Sequence, residues 1–199
     1  MTFLTDFADQ AVLLPVAAGV AIVLVLLGWR RGALAWTVGV CGTLAVMLGL
    51  KMLFTICGPA VPELNIRTPS GHTAAAAVIY GGLAALLGLR PAMAVMLSVG
   101  IAVLFGASRL ALGAHTVPEA VVGGLVGCAG VAVIACLAGP KPPGLRHARL
   151  LAAPLLLLVL LHGVHLHAEP TIGRLAHLLD TWPFTACRVA ALDSASGSQ

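Results

Sequence analysis

Two short polar segments interrupt a sequence that is otherwise strongly apolar. The first covers residues 67–72 (Arg-Thr-Pro-Ser-Gly-His), and the second begins at Ser108-Arg109 and ends with His115 and Glu119. Together with Lys51 they provide two imidazoles, a carboxylate and several cations, a set suited to an anionic substrate. A neutral imidazole can attack phosphorus while a carboxylate fixes its tautomer, and a second imidazole can protonate the leaving oxygen. These side chains predict phosphoryl transfer, and that chemistry requires no metal and no other cofactor.

The sequence around residues 67–72 predicts the start of a helix. Ser70 or Thr68 is a suitable N-cap, and the free amides near Gly71 and His72 would then point at a bound anion. Gly71 also lets a ligand approach the backbone closely, because it has no side chain. The segment is therefore a candidate phosphate-binding site.

The second polar segment predicts another helix start, near Thr116. Pro118 would lie in the first turn, where proline is tolerated, and Glu119 would lie where the helix dipole favours an acid. If both helix starts face the same side of the protein, their polar residues can converge on one site.

The elements that hold these segments are predicted to be transmembrane helices. Hydrophobic residues make up 60% of the 199 residues and charged residues only 9%, whereas soluble domains carry about 25% charged residues. Six apolar runs are long enough to span a bilayer as helices, at about residues 11–28, 32–56, 72–89, 91–107, 119–138 and 150–168. The predicted fold class is all-α: a polytopic membrane helix bundle forming one domain over residues 1–199, with its core at about 11–168. A soluble enzyme is excluded, and so is nucleic-acid binding, because no basic run exceeds two residues.

Basic residues in the loops predict the orientation of the six helices. The loops on one side hold six basic residues and no acidic residue: Arg30, Arg31, Arg90, Lys141, Arg146 and Arg149. The positive-inside rule assigns that side to the cytoplasm. Both polar segments then lie on the opposite side, which in a bacterial inner membrane faces the periplasm.

The motifs resemble those of the type 2 phosphatidic-acid phosphatase superfamily, which includes membrane lipid phosphate phosphatases. Its signature joins a Lys with six residues before Arg-Pro, then Pro-Ser-Gly-His, then Ser-Arg with five residues before His and three more before Asp. Residues 69–72 reproduce the second part in full. Ser108-Arg109, His115 and Glu119 reproduce the spacing of the third part, with Glu in place of Asp. The resemblance covers about residues 51–119.

The resemblance implies an integral membrane phosphatase that acts on a lipid phosphomonoester or pyrophosphate, such as phosphatidic acid or undecaprenyl pyrophosphate, through a phosphohistidine. His115 would be the nucleophile, His72 the general acid, and Glu119 the group that orients His115. The residues implied to bind the phosphate are Lys51, Ser70, Gly71 and Arg109. The implied partners are the lipid phosphate and the surrounding membrane lipids.

The first part of the signature departs from the family pattern. After Lys51 and six intervening residues the sequence reads Gly58-Pro59 instead of Arg-Pro, so one phosphate ligand is missing. Arg67 lies three residues before Ser70, and we hypothesise that its guanidinium takes the vacated place. The alternative for Arg67 is contact with lipid headgroups, and the alternative for Lys51 is an end-of-span lysine whose amine extends to the interface.

Other functions and sites stay open at this point. A phosphotransferase would use the same site, and a non-catalytic lipid-phosphate binding protein would be compatible with the missing Arg. His72 and His115 could instead be capping or interface histidines. A metal site at His162, His165 and His167 is disfavoured, because the third histidine leaves the helix face shared by the first two.

Three further features concern helix packing, a possible disulfide and the C-terminal segment. Gly123 and Gly127 form a small-xxx-small pair for a neighbouring helix, either of the same chain or of a second protomer in a homo-oligomer. Cys57 and Cys187 lie on the outward side, where a disulfide could form. Residues 169–199 are predicted to form an interfacial tail.

Overall fold

The computed structural model describes residues 6–57 and 66–164, and it contains no strand in those ranges. The described residues form six helices of 15 residues or more. They are α1 (Gln10–Leu26), α2 (Arg30–Cys57), α3 (Gly71–Leu86), α4 (Pro91–Ala111), α5 (Val117–Leu137) and α6 (His147–Leu161). The predicted all-α fold class is confirmed, with one helix at each predicted span.

The helices are apolar enough to identify a membrane protein, although they differ in length. The stretches Arg30–Thr55, Pro91–Ala111 and Val117–Leu137 are long and apolar enough to cross a membrane. Helices α1, α3 and α6 are shorter, with 17, 16 and 15 residues. Most residues of α3 are buried between the other helices. Neighbouring helices, rather than lipid, therefore cover its apolar surface.

Short connections make successive helices run in opposite directions. Gly28 (φ 76°) and Gly88 (φ 99°) follow α1 and α3 in the left-handed conformation that ends a helix and reverses the chain. The starts of α1, α3 and α5 therefore meet the ends of α2, α4 and α6 at one end of the bundle, here called the site end. The opposite end, here called the basic end, carries the six basic residues that predicted the orientation.

Helix α3 packs closely against α5 because α5 presents glycines to it. A Cβ atom on Gly127 would lie 2.6 Å from the Cβ atom of Ala77 and 2.7 Å from the carbonyl oxygen of Ala74. A Cβ atom on Gly123 would meet the carbonyl oxygen of Ser70. The neighbour of this small-xxx-small pair is thus α3 of the same chain, so a homo-oligomer would have to use another surface.

Hydrogen bonds from the start of α2 hold the basic end together. The indole Nε1 of Trp29 donates to the carbonyl oxygen of Ala138 (3.2 Å), and Nε of Arg31 donates to that of Leu137 (3.0 Å). These bonds satisfy carbonyls that the end of α5 leaves without helical partners. Farther along α2, Nε1 of Trp36 donates to the Ala17 carbonyl (2.9 Å) and ties α2 to α1.

Two helix ends differ from the predicted spans by four residues or more. Helix α4 continues to Ala111, beyond the predicted end at 107, so Ser108 and Arg109 lie in its last turn rather than in a loop. The Ser108 hydroxyl donates to the Phe105 carbonyl (2.9 Å), which allows this polar residue to remain inside the helix. Helix α6 ends at Leu161 rather than 168, just before Gly163 with φ 84°.

Several predictions concern residues outside the described ranges. They are the vacated position at Gly58, the pairing of Cys57 with Cys187, the histidines 165 and 167, and the tail at 169–199.

Candidate active site

The imidazole of His115 is held by the carboxylate of Glu119 at the start of α5. Nδ1 of His115 lies 2.9 Å from Oε2 of Glu119, and the two side chains are 2% and 5% exposed. An ionised carboxylate only accepts hydrogen bonds, so Nδ1 carries the hydrogen, and in the neutral ring Nε2 presents a lone pair. This arrangement prepares Nε2 to act as a nucleophile.

Glu119 accepts three backbone hydrogen bonds in addition to its bond from His115. Its Oε1 accepts from the amides of Arg67 (2.7 Å) and Thr68 (2.9 Å), and its Oε2 accepts from the amide of Thr116 (3.0 Å). The last bond is the carboxylate half of a capping box at the start of α5. One side chain therefore joins the His115 segment to the segment before α3, a role that the sequence did not predict.

Ser70 caps α3, one of the two N-caps predicted for it. The Ser70 hydroxyl lies 2.9 Å from the Thr73 hydroxyl and 3.5 Å from its amide. The Ser70 amide donates to the main-chain carbonyl oxygen of Glu119 (3.0 Å). The start of α3, with its positive dipole end, is thereby fixed beside the start of α5.

Lys51 of α2 reaches the start of α3. Its side chain is buried, with 5% of the residue exposed. The Cε and Nζ atoms lie 3.4 and 3.8 Å from the position that a Cβ atom on Gly71 would occupy. The amide nitrogen of the Gln10 side chain approaches the same position within 3.4 Å. Lys51 and Gly71, both predicted to bind phosphate, are thus neighbours.

The two predicted arginine ligands differ in their surroundings. Arg109 lies in the last turn of α4, and its Nε is buried without a hydrogen-bond partner among the described residues. A buried donor of this kind is costly unless a ligand accepts from it. Arg67 has an exposed side chain, and its recorded contact is the backbone bond to Glu119.

His72 lies beside a carboxylate that no sequence motif predicts for the site. Its Nε2 is 4.0 Å from Oδ2 of Asp9, and the two side chains are only 14% and 10% exposed. Asp9 precedes α1, and its Oδ1 accepts from the Ala11 amide (2.8 Å) as an N-cap. No motif connects residues 9 and 72, so only the packing of α1 against α3 reveals the pair.

Histidine 162 is the described member of the disfavoured metal cluster. Its ring contacts the ring of Phe7, with centroids 4.7 Å apart. Within residues 6–57 and 66–164, no group of three or more His, Cys, Asp or Glu side chains is arranged to hold a metal ion.

Comparison with known proteins identifies the family. The sequence model of the PAP2 superfamily matches residues 32–141, more than half of the chain. The chain belongs to the PAP2 superfamily. The match contains His115, Glu119, the residues 69–72 and Lys51, and membership in the PAP2 superfamily supports a phosphatase-type activity.

One relative of this PAP2 protein is described as an uncharacterized 22.5 kDa protein in the cps region of Klebsiella pneumoniae. The two sequences are 36% identical over 146 residues, which is 68% of this chain and 68% of the relative. No solved structure matches the chain.

Proposed function

We propose that this PAP2 protein is a membrane phosphatase that hydrolyses a lipid phosphate through a phosphohistidine on His115. The observation that carries this proposal is the buried His115–Glu119 pair, whose carboxylate also binds the loop that leads into α3. The pair supplies an oriented nucleophile, and the same contacts bring it to the candidate phosphate site.

In the first step, Nε2 of His115 attacks phosphorus, so that an N–P bond forms and the bond to the lipid oxygen breaks. His72 gives its proton to the leaving oxygen. In the second step, His72 takes a proton from water, the water oxygen attacks phosphorus, and the N–P bond breaks to release inorganic phosphate. Glu119 stabilises the positive charge that develops on the His115 ring.

The residues proposed to bind the transferred phosphoryl group lie at three helix ends. Lys51 contributes an ammonium from the end of α2, Arg109 a guanidinium from the end of α4, and Gly71 a free amide from the start of α3. Cations and amides fixed in place stabilise charge on phosphoryl oxygens without reorganising during the reaction. The buried Nε of Arg109 supports this role, because a phosphoryl oxygen would satisfy it. Arg67 is proposed as a further ligand whose exposed guanidinium replaces the family Arg.

An apolar groove between α4 and α5 supports a lipid as the substrate. Its volume is about 580 Å³, within the roughly 300–1,000 Å³ typical of ligand sites. It begins at Leu110 and Val117, next in sequence to Arg109 and Thr116, and reaches down to Val95. The groove thus opens beside the candidate phosphate site and offers an apolar path along the helices.

The dimensions of this groove, here called the α4–α5 groove, suit a hydrocarbon chain. Leu110 lies fifteen positions after Val95, about 22 Å along the helix at roughly 1.5 Å per residue. One leaflet of the hydrocarbon core is about 15 Å thick, half of the roughly 30 Å core. Small residues line the bottom of the groove, where the two helices approach closely. A Cβ atom on Gly106 would lie 3.4 Å from the Ala120 methyl group, so a larger side chain there would fill the groove. We propose that the lipid chain lies here while its phosphate meets His115.

The basic end supports an orientation with the active site outside the cytoplasm. The positive-inside rule favours cytoplasmic exposure for Arg30, Arg90 and Arg146, which flank helices at that end. The proposed location is a bacterial inner membrane with the site end in the periplasm.

The test is phosphate release by the purified protein from a panel of lipid phosphates, with a chelator present. We expect activity in the chelator and its loss in His115→Ala, whereas the matched variant His147→Ala, at the basic end, retains it. A labelled substrate should leave an acid-labile, base-stable phosphoryl group on the wild type. Activity that requires a metal, or that survives His115→Ala, would contradict the mechanism. Transfer of the label to a second lipid would identify a phosphotransferase, and binding without turnover a non-catalytic protein.

A further inference from the structure

Asp9 extends the candidate site beyond the PAP2 signature, since it precedes the family-matched residues 32–141. Its carboxylate lies with His72 in a nearly enclosed environment, with Oδ2 4.0 Å from Nε2. Within such an environment a carboxylate favours the protonated form of a neighbouring imidazole. The general acid of the proposed mechanism must be protonated when the substrate binds.

The position of Asp9 is fixed by several independent contacts. Its Oδ1 caps α1 through the Ala11 amide (2.8 Å), which leaves Oδ2 directed toward His72. The preceding turn is held against α3 because the Tyr80 hydroxyl donates to the Phe7 carbonyl (2.7 Å). Asp9 itself is buried. The carboxylate is therefore a built part of the bundle rather than a mobile terminal charge.

We propose that Asp9 is a positioning residue for His72, which it orients and keeps protonated for transfer to the leaving oxygen. This inference rests on the proposed phosphatase function. In the forward step the proton passes from the His72 imidazolium to the leaving oxygen, and Asp9 stays a carboxylate. When His72 takes a proton from water in the second step, Asp9 stabilises the imidazolium that returns.

Other ionisable groups lie at the same site end of the bundle and bear on the same proton. They are Lys51 from α2, Arg109 from α4, His115 and Glu119 from the α5 start, and His162 beyond the end of α6. Lys51 and Arg109 are cations, which oppose a positive charge on His72. Asp9 is the carboxylate that the structure records next to the His72 ring, so it offsets that repulsion.

The variant Asp9→Asn separates charge from structure, because asparagine caps a helix as well as aspartate does. The substrates are an alkyl phosphate, whose leaving oxygen needs a proton, and p-nitrophenyl phosphate, whose leaving group does not. The value of kcat/KM reports only the steps up to phosphohistidine formation. We expect the alkyl-to-aryl ratio of kcat/KM to fall about tenfold or more, part of the roughly 10²–10⁴-fold that general acids contribute.

The pH profile provides a second readout that a purely structural role would not change. Without the neighbouring negative charge, His72 releases its proton at lower pH, so the alkaline limb of the alkyl-phosphate profile moves to lower pH. The control Asp6→Asn, one turn before Asp9, should change neither the ratio nor the profile. Equal losses with both substrates, or an unchanged ratio and profile, would overturn the role of Asp9.

These outcomes are distinct from failure of the proposed function. Hydrolysis of p-nitrophenyl phosphate that is lost in His115→Ala establishes the phosphatase independently of Asp9. If the wild type hydrolyses neither substrate, the proposed function fails and the role assigned to Asp9 fails with it.

Discussion

The carbonyl oxygen of Ser70 occupies the place that a side chain on Gly123 would need. Helix α5 can therefore approach the N-cap of α3 closely because Gly123 has no side chain. The same two helix starts are joined by the bond from the Ser70 amide to the Glu119 carbonyl (3.0 Å). The geometry of the candidate phosphate site thus depends on the absence of a single methyl group.

Gly123→Ala should lower both stability and activity. A methyl group there must displace the Ser70 backbone, and overpacking of this kind typically costs about 1–3 kcal/mol. We expect a lower Tm of the detergent-solubilised protein and a loss of phosphate release. Gly42→Ala is the matched control, because its Cβ atom meets nothing within 4 Å. Equal behaviour of the two variants would show that the contact at Gly123 has no consequence for the site.

Restoring the family residue with Glu119→Asp should lower activity rather than raise it. The Glu119 carboxylate spans the distance between His115 and the amides of Arg67 and Thr68. A shorter side chain cannot reach both His115 and the amides of Arg67 and Thr68, so one set of hydrogen bonds is lost. Misplacing a catalytic group by about 1 Å can lower the rate by about 10²-fold.

Glu119→Gln tests the charge of the same side chain while keeping its length. An amide can present its NH₂ group to His115 and so favour the wrong tautomer, which in a comparable triad costs about 10⁴-fold in kcat. The measurement is kcat for phosphate release, with Tm as the check on folding. The same two measurements apply to Glu119→Asp. If that variant is more active than the wild type, activity does not depend on the length of the Glu119 side chain.

Arg67→Ala isolates the Arg67 side chain, because alanine keeps the amide that donates to Glu119. If the guanidinium binds phosphate, KM should rise and inhibition by inorganic phosphate should weaken, by about tenfold or more for the loss of one charge-assisted hydrogen bond worth roughly 1.5–3 kcal/mol. Arg149→Ala, in the first turn of α6 at the basic end, is the control. Unchanged kinetics in Arg67→Ala would mean that Arg67 does not replace the missing arginine.

Filling the α4–α5 groove should alter the preference for chain length. Ala107 lines the groove, so Ala107→Trp should reduce kcat/KM for long-chain alkyl phosphates more than for short-chain ones. Met96, which is 69% exposed on α4 and does not line the groove, provides the control Met96→Trp. Values of kcat/KM are compared across a chain-length series in one detergent. A constant ratio of long-chain to short-chain values in Ala107→Trp would exclude this groove as the site of the lipid chain.

The sequence was sufficient for the features that depend on local order along the chain. Long apolar runs predicted the helices, and Ser70 and Thr116 predicted the starts of α3 and α5, because capping is decided within one turn. The end of α4 was predicted too early, since Ser108 was treated as a loop residue although its hydroxyl bonds back to the helix.

The sequence was not sufficient for contacts that join distant segments. The amides of Arg67 and Thr68 bind Glu119. Every residue except proline has such an amide, so the residue types at 67 and 68 do not predict these bonds. The pairing of Asp9 with His72 depends on how α1 packs against α3, and Asp9 taken alone is an ordinary N-cap. The sequence also could not show whether the helix that packs on Gly123 belongs to the same chain or to a second protomer, because that depends on how the helices pack.

Helix α1 lies outside the family-matched residues but belongs to the core of the bundle. The segment that defines the superfamily starts after α1, yet α1 brings a carboxylate to the ring of His72. A protein trimmed to the family segment would keep His115 and Glu119 but would lose that carboxylate. If Asp9 acts as proposed, the preference for leaving groups depends on a segment outside the family match, whereas the bond-making histidine and its supporting carboxylate lie inside it.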